Sequence, residues 1–136
     1  MVEVTVAVIA QELDVHDDGT FDILGVLTGL RVSAVPYEEP HMTLFLSFSA
    51  SPAEVGRERR VEVHLLDADG FLMRKSWTTV AVPEPPHPGS RADLNVGFPL
   101  RNVPFEKDGD YSFHIFVGDD EKRVVPFHID VEKGEE

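Results

Sequence analysis

Three histidines are the residues of this chain whose type and spacing best suit chemistry. A turn at 118–121 predicts a hairpin in which His114 and His128 both point outward, on diagonal positions about 7–8 Å apart at Cα. The side chain of His64 is also expected to point outward from its own predicted strand. Imidazole nitrogens bind zinc, nickel or copper and leave a coordination position open for water. Histidine also suits a half-exposed strand face, so we keep a zinc site at these three residues as an alternative and expect no metal.

Acidic residues at the predicted turns suggest calcium as a second alternative. Calcium takes six to eight oxygen ligands, which carboxylates of neighbouring loops can supply. If every strand reverses direction, two acidic groups form at opposite ends of the molecule. One comprises Asp14, Asp17 and Asp18 with Asp119, Asp120 and Glu121, and the other Asp67 and Asp69 with Glu106, Asp108 and Asp110. Aspartate is also a preferred turn residue, and no twelve-residue calcium loop is present, so we expect no cofactor.

Motifs for catalysis are missing from the sequence. The chain has no cysteine, which excludes disulfides, thiolate chemistry and cysteine-ligated zinc. It contains neither a G-x-S-x-G nucleophile motif nor a glycine-rich phosphate loop. We therefore expect a non-catalytic protein, with a metal-dependent enzyme built on the histidines or an acidic end as the alternative.

The net charge of −13, from 25 acidic and 12 basic residues, restricts the partners. Nucleic acids and anionic membranes are both disfavoured, because their binding depends largely on Lys and Arg. The first residues lack the basic and apolar segments of a signal peptide, and no apolar run approaches the roughly 20 residues needed to span a bilayer. We expect a cytoplasmic protein.

An apolar strip on the last hairpin predicts an interaction surface. By strand alternation, the side chains of Phe116, Val124 and Pro126 are expected to point outward. His114 and His128 flank them on the same face. An outer strand face this apolar indicates contact with a protein partner or a second copy of the chain. The alternatives are a cover by the chain's own proline-rich loop or a register slip that reverses the faces.

Strand alternation predicts that two further apolar side chains, Phe45 and Leu66, also point outward. They extend the predicted interaction surface to other strands. Phe116→Glu should then abolish association and leave the fold intact, whereas an unfolded variant would mean that the faces are inverted.

Alternating apolar and polar residues predict about eight strands and no helix with a 3.6-residue period. These strands and their polar turns indicate an all-β, antiparallel two-sheet sandwich, immunoglobulin-like or with a related Greek-key topology. We expect one domain over 1–132 and a frayed acidic tail at 133–136. The predicted strands are 2–10, 21–30, 42–49, 60–67, 71–82, 93–100, 110–118 and 122–131.

The last hairpin predicts a specific core face and a proline at an edge. Its expected cross-strand pairs are Ile115 with Val125, Phe113 with Phe127 and Tyr111 with Ile129. Pro126 has no N–H, which predicts an edge or a bulge at that position.

Turns and loops are predicted from their residue types. The sequence at 67–70 indicates a tight hairpin turn in which Gly70 takes a positive φ. A helical turn is expected within 51–56, and the proline-rich segment 83–89 is expected to be an exposed, extended connection.

Residues 108–113 resemble the tyrosine corner of immunoglobulin-like sandwiches, with Gly109, Tyr111 and Phe113 in the motif positions. In such a corner the tyrosine ring packs inward and its hydroxyl bonds upstream backbone.

Four segments, at 4–7, 21–25, 62–70 and 109–113, carry a resemblance that covers nearly the whole chain. Through them the chain resembles a family of small bacterial proteins catalogued as a domain of unknown function. The resemblance implies a stand-alone bacterial β-domain and implies no catalytic residue.

Overall fold

The computed structural model describes residues 2–132, which form nine strands and one short 3₁₀ turn. The predicted tail, 133–136, lies outside the described residues. The strands are β1 (Val2–Val15), β2 (Phe21–Leu27), β3 (Gly29–Val32), β4 (Tyr37–Ala50), β5 (Glu58–Leu66), β6 (Leu72–Ala81), β7 (Ala92–Phe105), β8 (Gly109–Val117) and β9 (Asp120–Val131). The 3₁₀ turn, Pro52–Glu54, lies where a helical turn is predicted.

The strands form two sheets, which confirms the all-β sandwich. Sheet I has four strands in the order β2-β1-β4-β7, and sheet II has five in the order β3-β9-β8-β5-β6. All pairs are antiparallel except β3 with β9, which is parallel. The additional strand arises because the predicted strand 21–30 is broken at Thr28, so that its two halves join different sheets.

The core lies between the sheets and is formed by alternate residues of the long strands. In β4 these are Met42, Leu44 and Leu46, all fully buried, as the alternating pattern predicts. Phe105 packs edge-on against Tyr111, with ring centroids 5.0 Å apart. The two sheets are thus joined through aromatic side chains at the end where β7 turns into β8.

The hairpin of β8 and β9 has the predicted faces but not the predicted register. Tyr111 lies opposite Phe127 and Phe113 opposite Val125, two residues from the prediction. A tight 118–119 turn and a bulge between Ile115 and Phe116 account for the difference. Because side chains alternate with a period of two, a shift of two residues leaves the inner and outer faces unchanged.

Pro126 sits at an open strand edge, as predicted. The His128 N–H donates to Thr28 O at 3.1 Å, so even-numbered residues here point away from β8. The nitrogen of Pro126 therefore points to the edge of β9 opposite β8. β3 pairs with that edge only from His128 onward, so the edge is open at Pro126. Its missing N–H leaves no ladder hydrogen bond unmade.

The 67–70 turn and the tyrosine corner are both confirmed. Oδ1 of Asp67 accepts hydrogen bonds from the backbone N–H groups of Asp69 and Phe71, both at 2.9 Å, and Gly70 has φ +83°. The hydroxyl of Tyr111 donates to Lys107 O at 2.7 Å.

The predicted grouping of acidic turns at the two ends is half correct. Asp67 and Asp69 share a cleft with Asp108 and Asp110, as expected. The 118–119 turn instead lies beside Val2, at the start of β1. Asp14 lies near the other end of β1, next to the turn, and Asp17 and Asp18 follow that end, so the prediction that they meet Asp119–Glu121 is wrong. The chain reverses direction at Thr28. The prediction placed one continuous strand at 21–30 and so did not include this reversal.

Sheet I covers part of its own outer face. The ring of Phe21 packs on that of Phe45, with centroids 5.3 Å apart, and Phe45 is only 7% exposed. A Cβ on Gly97 would lie 3.0 Å from a methyl group of Leu13, so Leu13 rests where a side chain is absent. The β1–β2 hairpin thus shields this face, and the assignment of Phe45 to an exposed interaction surface is wrong.

Candidate functional site: the outer face of sheet II

The outer face of sheet II combines aromatic, apolar and charged side chains from four strands. One row across the sheet consists of Lys75, His64, His114 and Val124, which are successive partners in β6, β5, β8 and β9. The face is set by sequence alternation, because in β5 and β8 the intervening residues are buried in the core. We call this surface the outer face below.

Aromatic side chains dominate the neighbouring row. Trp77 is 56% exposed, and the Arg60 guanidinium lies 4.1 Å from its ring centroid, in a cation–π contact. Phe116 is half-buried and packs against His64, with ring centroids 4.5 Å apart and the ring planes tilted by 39°. Val124 is 45% exposed. This arrangement is an apolar centre with polar neighbours, which is the anatomy of a protein-binding surface.

Glu62 lies between the aromatic residues and organises the charges of this row. Its Oε1 accepts from Arg60 Nε at 3.1 Å and lies 3.6 Å from Lys75 Nζ. Burial raises the pKa of Glu62, but the charges of Lys75 and Arg60 outweigh it, so the net pKa is lowered. The carboxylate therefore stays ionised and holds both basic side chains on the face.

His64 and His114 are directly opposite each other, which sequence alone left open. Nε2 of His64 lies 3.8 Å from Glu62 and has no hydrogen-bond partner among the described residues. The ring of His114 is held by Ser112 Oγ, at 2.9 Å from Nε2, and by Glu121 at Nδ1. Packing orients the first ring and hydrogen bonds orient the second.

His128 is held between two carboxylates at the far end of the outer face. Its Nδ1 is 2.6 Å from Asp110 and its Nε2 is 2.7 Å from Asp130. These hydrogen bonds, with that to Asp110 the stronger influence, raise the pKa of His128. The clamp favours a protonated ring, which cannot bind a metal because both nitrogens carry protons.

The predicted diagonal contact between His114 and His128 is wrong. The corrected register places Val124, not Pro126, opposite His114. His128 is four residues further along β9, about 13 Å away along the strand. The three histidines therefore do not converge on one point.

Metal-ligand clusters are not found in residues 2–132, where no group of three or more His, Asp or Glu side chains is arranged to hold an ion. At the end of the molecule predicted as a calcium site, the Asp67 carboxylate instead accepts hydrogen bonds from the backbone of its own turn. This is the ordinary role of aspartate as a turn residue.

The structure brings together most of the residues predicted for the interaction surface and adds one that was missed. Phe116, Val124, Pro126 and His114 lie on neighbouring positions of β8 and β9. Trp77 was not assigned to the surface. Alternation gave no signal for its exposure, because an apolar residue between Ser76 and Thr78 is expected to point inward, and its neighbours on the face depend on strand order.

Several comparisons place the fold among known structures. The alkylpurine DNA glycosylase AlkC of Pseudomonas fluorescens, bound to DNA with an abasic site analog, matches with a TM-score of 0.53 and 8% identity. The match covers 96% of this chain and 30% of that one. A β-glucosidase from Listeria innocua in complex with glucose matches with a TM-score of 0.53 and 10% identity, covering 96% of this chain and 16% of that one. At such identities the likeness shows the fold alone, in a chain that spans a small part of each enzyme.

No helix in the described part of the chain is long and apolar enough to cross a membrane. No curated protein matches the sequence significantly. The predicted resemblance to a family of unknown function is confirmed by a family model that matches residues 5–130. With nearly its full length matched, the chain belongs to the family of unknown function DUF6941.

Proposed function

We propose that this protein is a non-catalytic protein-binding module whose contact surface is the outer face of sheet II. The surface is centred on Phe116 and His64, with Trp77 on one side and Val124 and Pro126 on the other. Arg60, Lys75 and Glu62 form a charged rim.

The difference between the two sheets carries this proposal. The chain folds its β1–β2 hairpin over sheet I, so that the outward-pointing Phe45 is 7% exposed. Sheet I also exposes aliphatic residues, such as Val15 and Val26, but none of its described aromatic rings is exposed. On sheet II, by contrast, Trp77 is 56% exposed, together with Val124 at 45%. The proline-rich segment, which was the alternative explanation as a cover, is itself exposed over 86–89, and Trp77 and Val124 stay exposed. Large aromatic residues clustered on an uncovered sheet face are typical of binding surfaces.

The residue types favour a protein over other partners. Tryptophan and arginine in contact form the kind of anchor that dominates protein interfaces. The net charge of −13 disfavours a polyanion. No observation specifically favours the metal-dependent alternative, since the histidines are separated and His128 is engaged by two carboxylates.

Site-specific photo-crosslinking in the native host tests the proposal. A benzophenone amino acid replaces Val124, and Val15, which is 66% exposed on β1, serves as the matched control. We expect one discrete protein adduct at position 124 and none at 15. Adding Phe116→Glu should remove the adduct at 124, because a carboxylate would occupy the apolar centre.

Far-UV circular dichroism checks that each variant is folded. Equal adduct formation at 15 and 124, or an adduct unaffected by Phe116→Glu in a folded variant, would contradict the proposal.

A further inference from the structure

Among the described residues 2–132, no strand pairs with the outer backbone edge of β6. The N–H of Gly118 donates to Arg60 O at 2.8 Å, so even-numbered residues of β5 point to β8 and odd-numbered ones to β6. Val82 follows β6 directly. Its N–H donates to Arg57 O and its C=O accepts from Gly56 N–H, and both partners immediately precede β5. Even-numbered residues of β6 are thus bonded to β5. The N–H and C=O groups of five odd-numbered residues point away from the sheet: Met73, Lys75, Trp77, Thr79 and Ala81.

The other edges of the sandwich carry features that obstruct strand pairing. β7 contains Pro99 and Pro104, β2 has seven residues and a positive φ of +68° at Gly25, and β3 has four residues. β6 has ten residues and no proline. Natural sheets obstruct edges with prolines, bulges, short strands or edge lysines to prevent pairing with other chains. β6 is long and free of proline, and the charge of its lysine, Lys75, is paired with Glu62, so β6 is the edge most available for a partner strand.

Charge favours a second copy of this chain at β6. Most of the surface repels a like molecule, because the net charge is −13. β6 contains no acidic residue, and its basic residues are Arg74 and Lys75. Lys75 pairs with Glu62 on the outer face, and Arg74 donates to the carbonyl of Arg101 in β7. The edge itself is therefore free of the repulsion present elsewhere.

One register of self-pairing satisfies every outward-pointing backbone group. If β6 pairs antiparallel with its copy about a two-fold axis at Trp77, Lys75 faces Thr79 and Met73 faces Ala81 of the other copy. Arg74 faces Val80, so no like charges are opposite each other. Each of the five outward-pointing residues exchanges two hydrogen bonds with its opposite, about ten in all.

We propose that two copies of this protein pair through β6 in this register and join their five-stranded sheets into one ten-stranded sheet. The two-fold axis is perpendicular to the sheet, so the outer faces of both copies point to the same side. Where the proposed function holds, the dimer presents two binding faces side by side and gains avidity for a repetitive or dimeric partner. The pairing itself does not depend on that function.

Light scattering on the peak from size exclusion tests the dimer. We expect wild type at twice the 15.2 kDa chain mass. Thr79→Pro removes an outward-pointing N–H that β5 does not use and should yield a folded monomer. Pro126 shows that this chain accommodates a proline nitrogen at an open edge. Thr79→Ala, which keeps the N–H, should remain dimeric. A wild-type monomer, or a folded Thr79→Pro dimer, would overturn the proposal.

Cysteine crosslinking tests the register and does not rely on the proline variant folding. The chain has no cysteine, so each introduced one is unique. In the proposed dimer Cα77 lies about 5.5 Å from its copy, within disulfide range. Trp77→Cys should therefore form a disulfide-linked dimer. Thr79→Cys should not self-link, but should link to Lys75→Cys when the two variants are mixed. Self-linking at 79 as readily as at 77 would refute the register.

Phe116→Glu separates the two proposals. It should leave the dimer intact and remove partner crosslinking at position 124. Loss of the dimer with this variant would place self-association on the outer face instead of β6.

Discussion

Removing one hydroxyl at the tyrosine corner should measurably weaken the fold. Tyr111 is 5% exposed, and its hydroxyl donates to Lys107 O at 2.7 Å and accepts from Lys107 N at 3.3 Å. Tyr111→Phe keeps the ring against Phe105 and deletes both hydrogen bonds. Each is worth about 0.5–1.5 kcal/mol, and the second is long, so we expect a loss of about 1–2 kcal/mol in the free energy of unfolding.

Urea unfolding followed by circular dichroism measures this loss. For a domain of this size it corresponds to a fall in Tm of about 3–8 °C. Tyr37→Phe is the matched control, because the hydroxyl of Tyr37 bonds Glu39, two residues away on the same strand. Because this hydrogen bond joins two residues of one strand and connects no separate segments, its loss is expected to cost less, about 0.5 kcal/mol. Equal effects of the two substitutions would refute the argument that the corner hydroxyl connects β8 to the preceding loop.

Three further substitutions test other parts of the structure. Asp110 and then Asp130 raise the pKa of His128, so protonation stabilises the folded state fully below the unfolded pKa of about 6.5 and less as pH rises through the folded pKa. His128→Gln should therefore lower the urea midpoint more at about pH 5.5 than at about pH 8.5, and a loss independent of pH would contradict the clamp. Gly109→Ala should cost about 1–3 kcal/mol from backbone strain alone, because φ is +126° and no atom lies within 4 Å of the added Cβ. An unchanged denaturation midpoint would show that this backbone conformation is not required. Phe21→Ala should increase binding of a hydrophobic dye and lower Tm, because it uncovers the outer face of sheet I. Dye binding equal to that of the wild type would mean that another group covers the outer face of sheet I.

Local patterns were sufficient for the strands and for the direction of their faces. Alternation in β4 identified its buried residues, and the 67–70 sequence identified its turn, because both depend on residues close together in the chain. The register of the last hairpin was wrong by two residues, because the turn comprises 118–119 instead of 118–121 and a bulge lies beside Phe116. The faces survived that error because the shift was even.

Strand order and long-range cover required the tertiary structure. The break at Thr28 turned one predicted strand into two, which moved Asp14 away from the 118–119 turn. The burial of Phe45 depends on Phe21, 24 positions earlier in the chain, and on the absence of a side chain at Gly97. Neither follows from the alternation within a strand.

The sequence by itself determined the sandwich class, the inner and outer faces of the strands with clear alternation, and the tyrosine corner. It did so because side-chain alternation and turn chemistry act over a few residues. Only the tertiary structure decided which outward-pointing residues are neighbours. It placed Trp77 beside Phe116 across β5 and left the β6 edge open. These features depend on strand pairing between distant segments, which is set by the packing of the whole core.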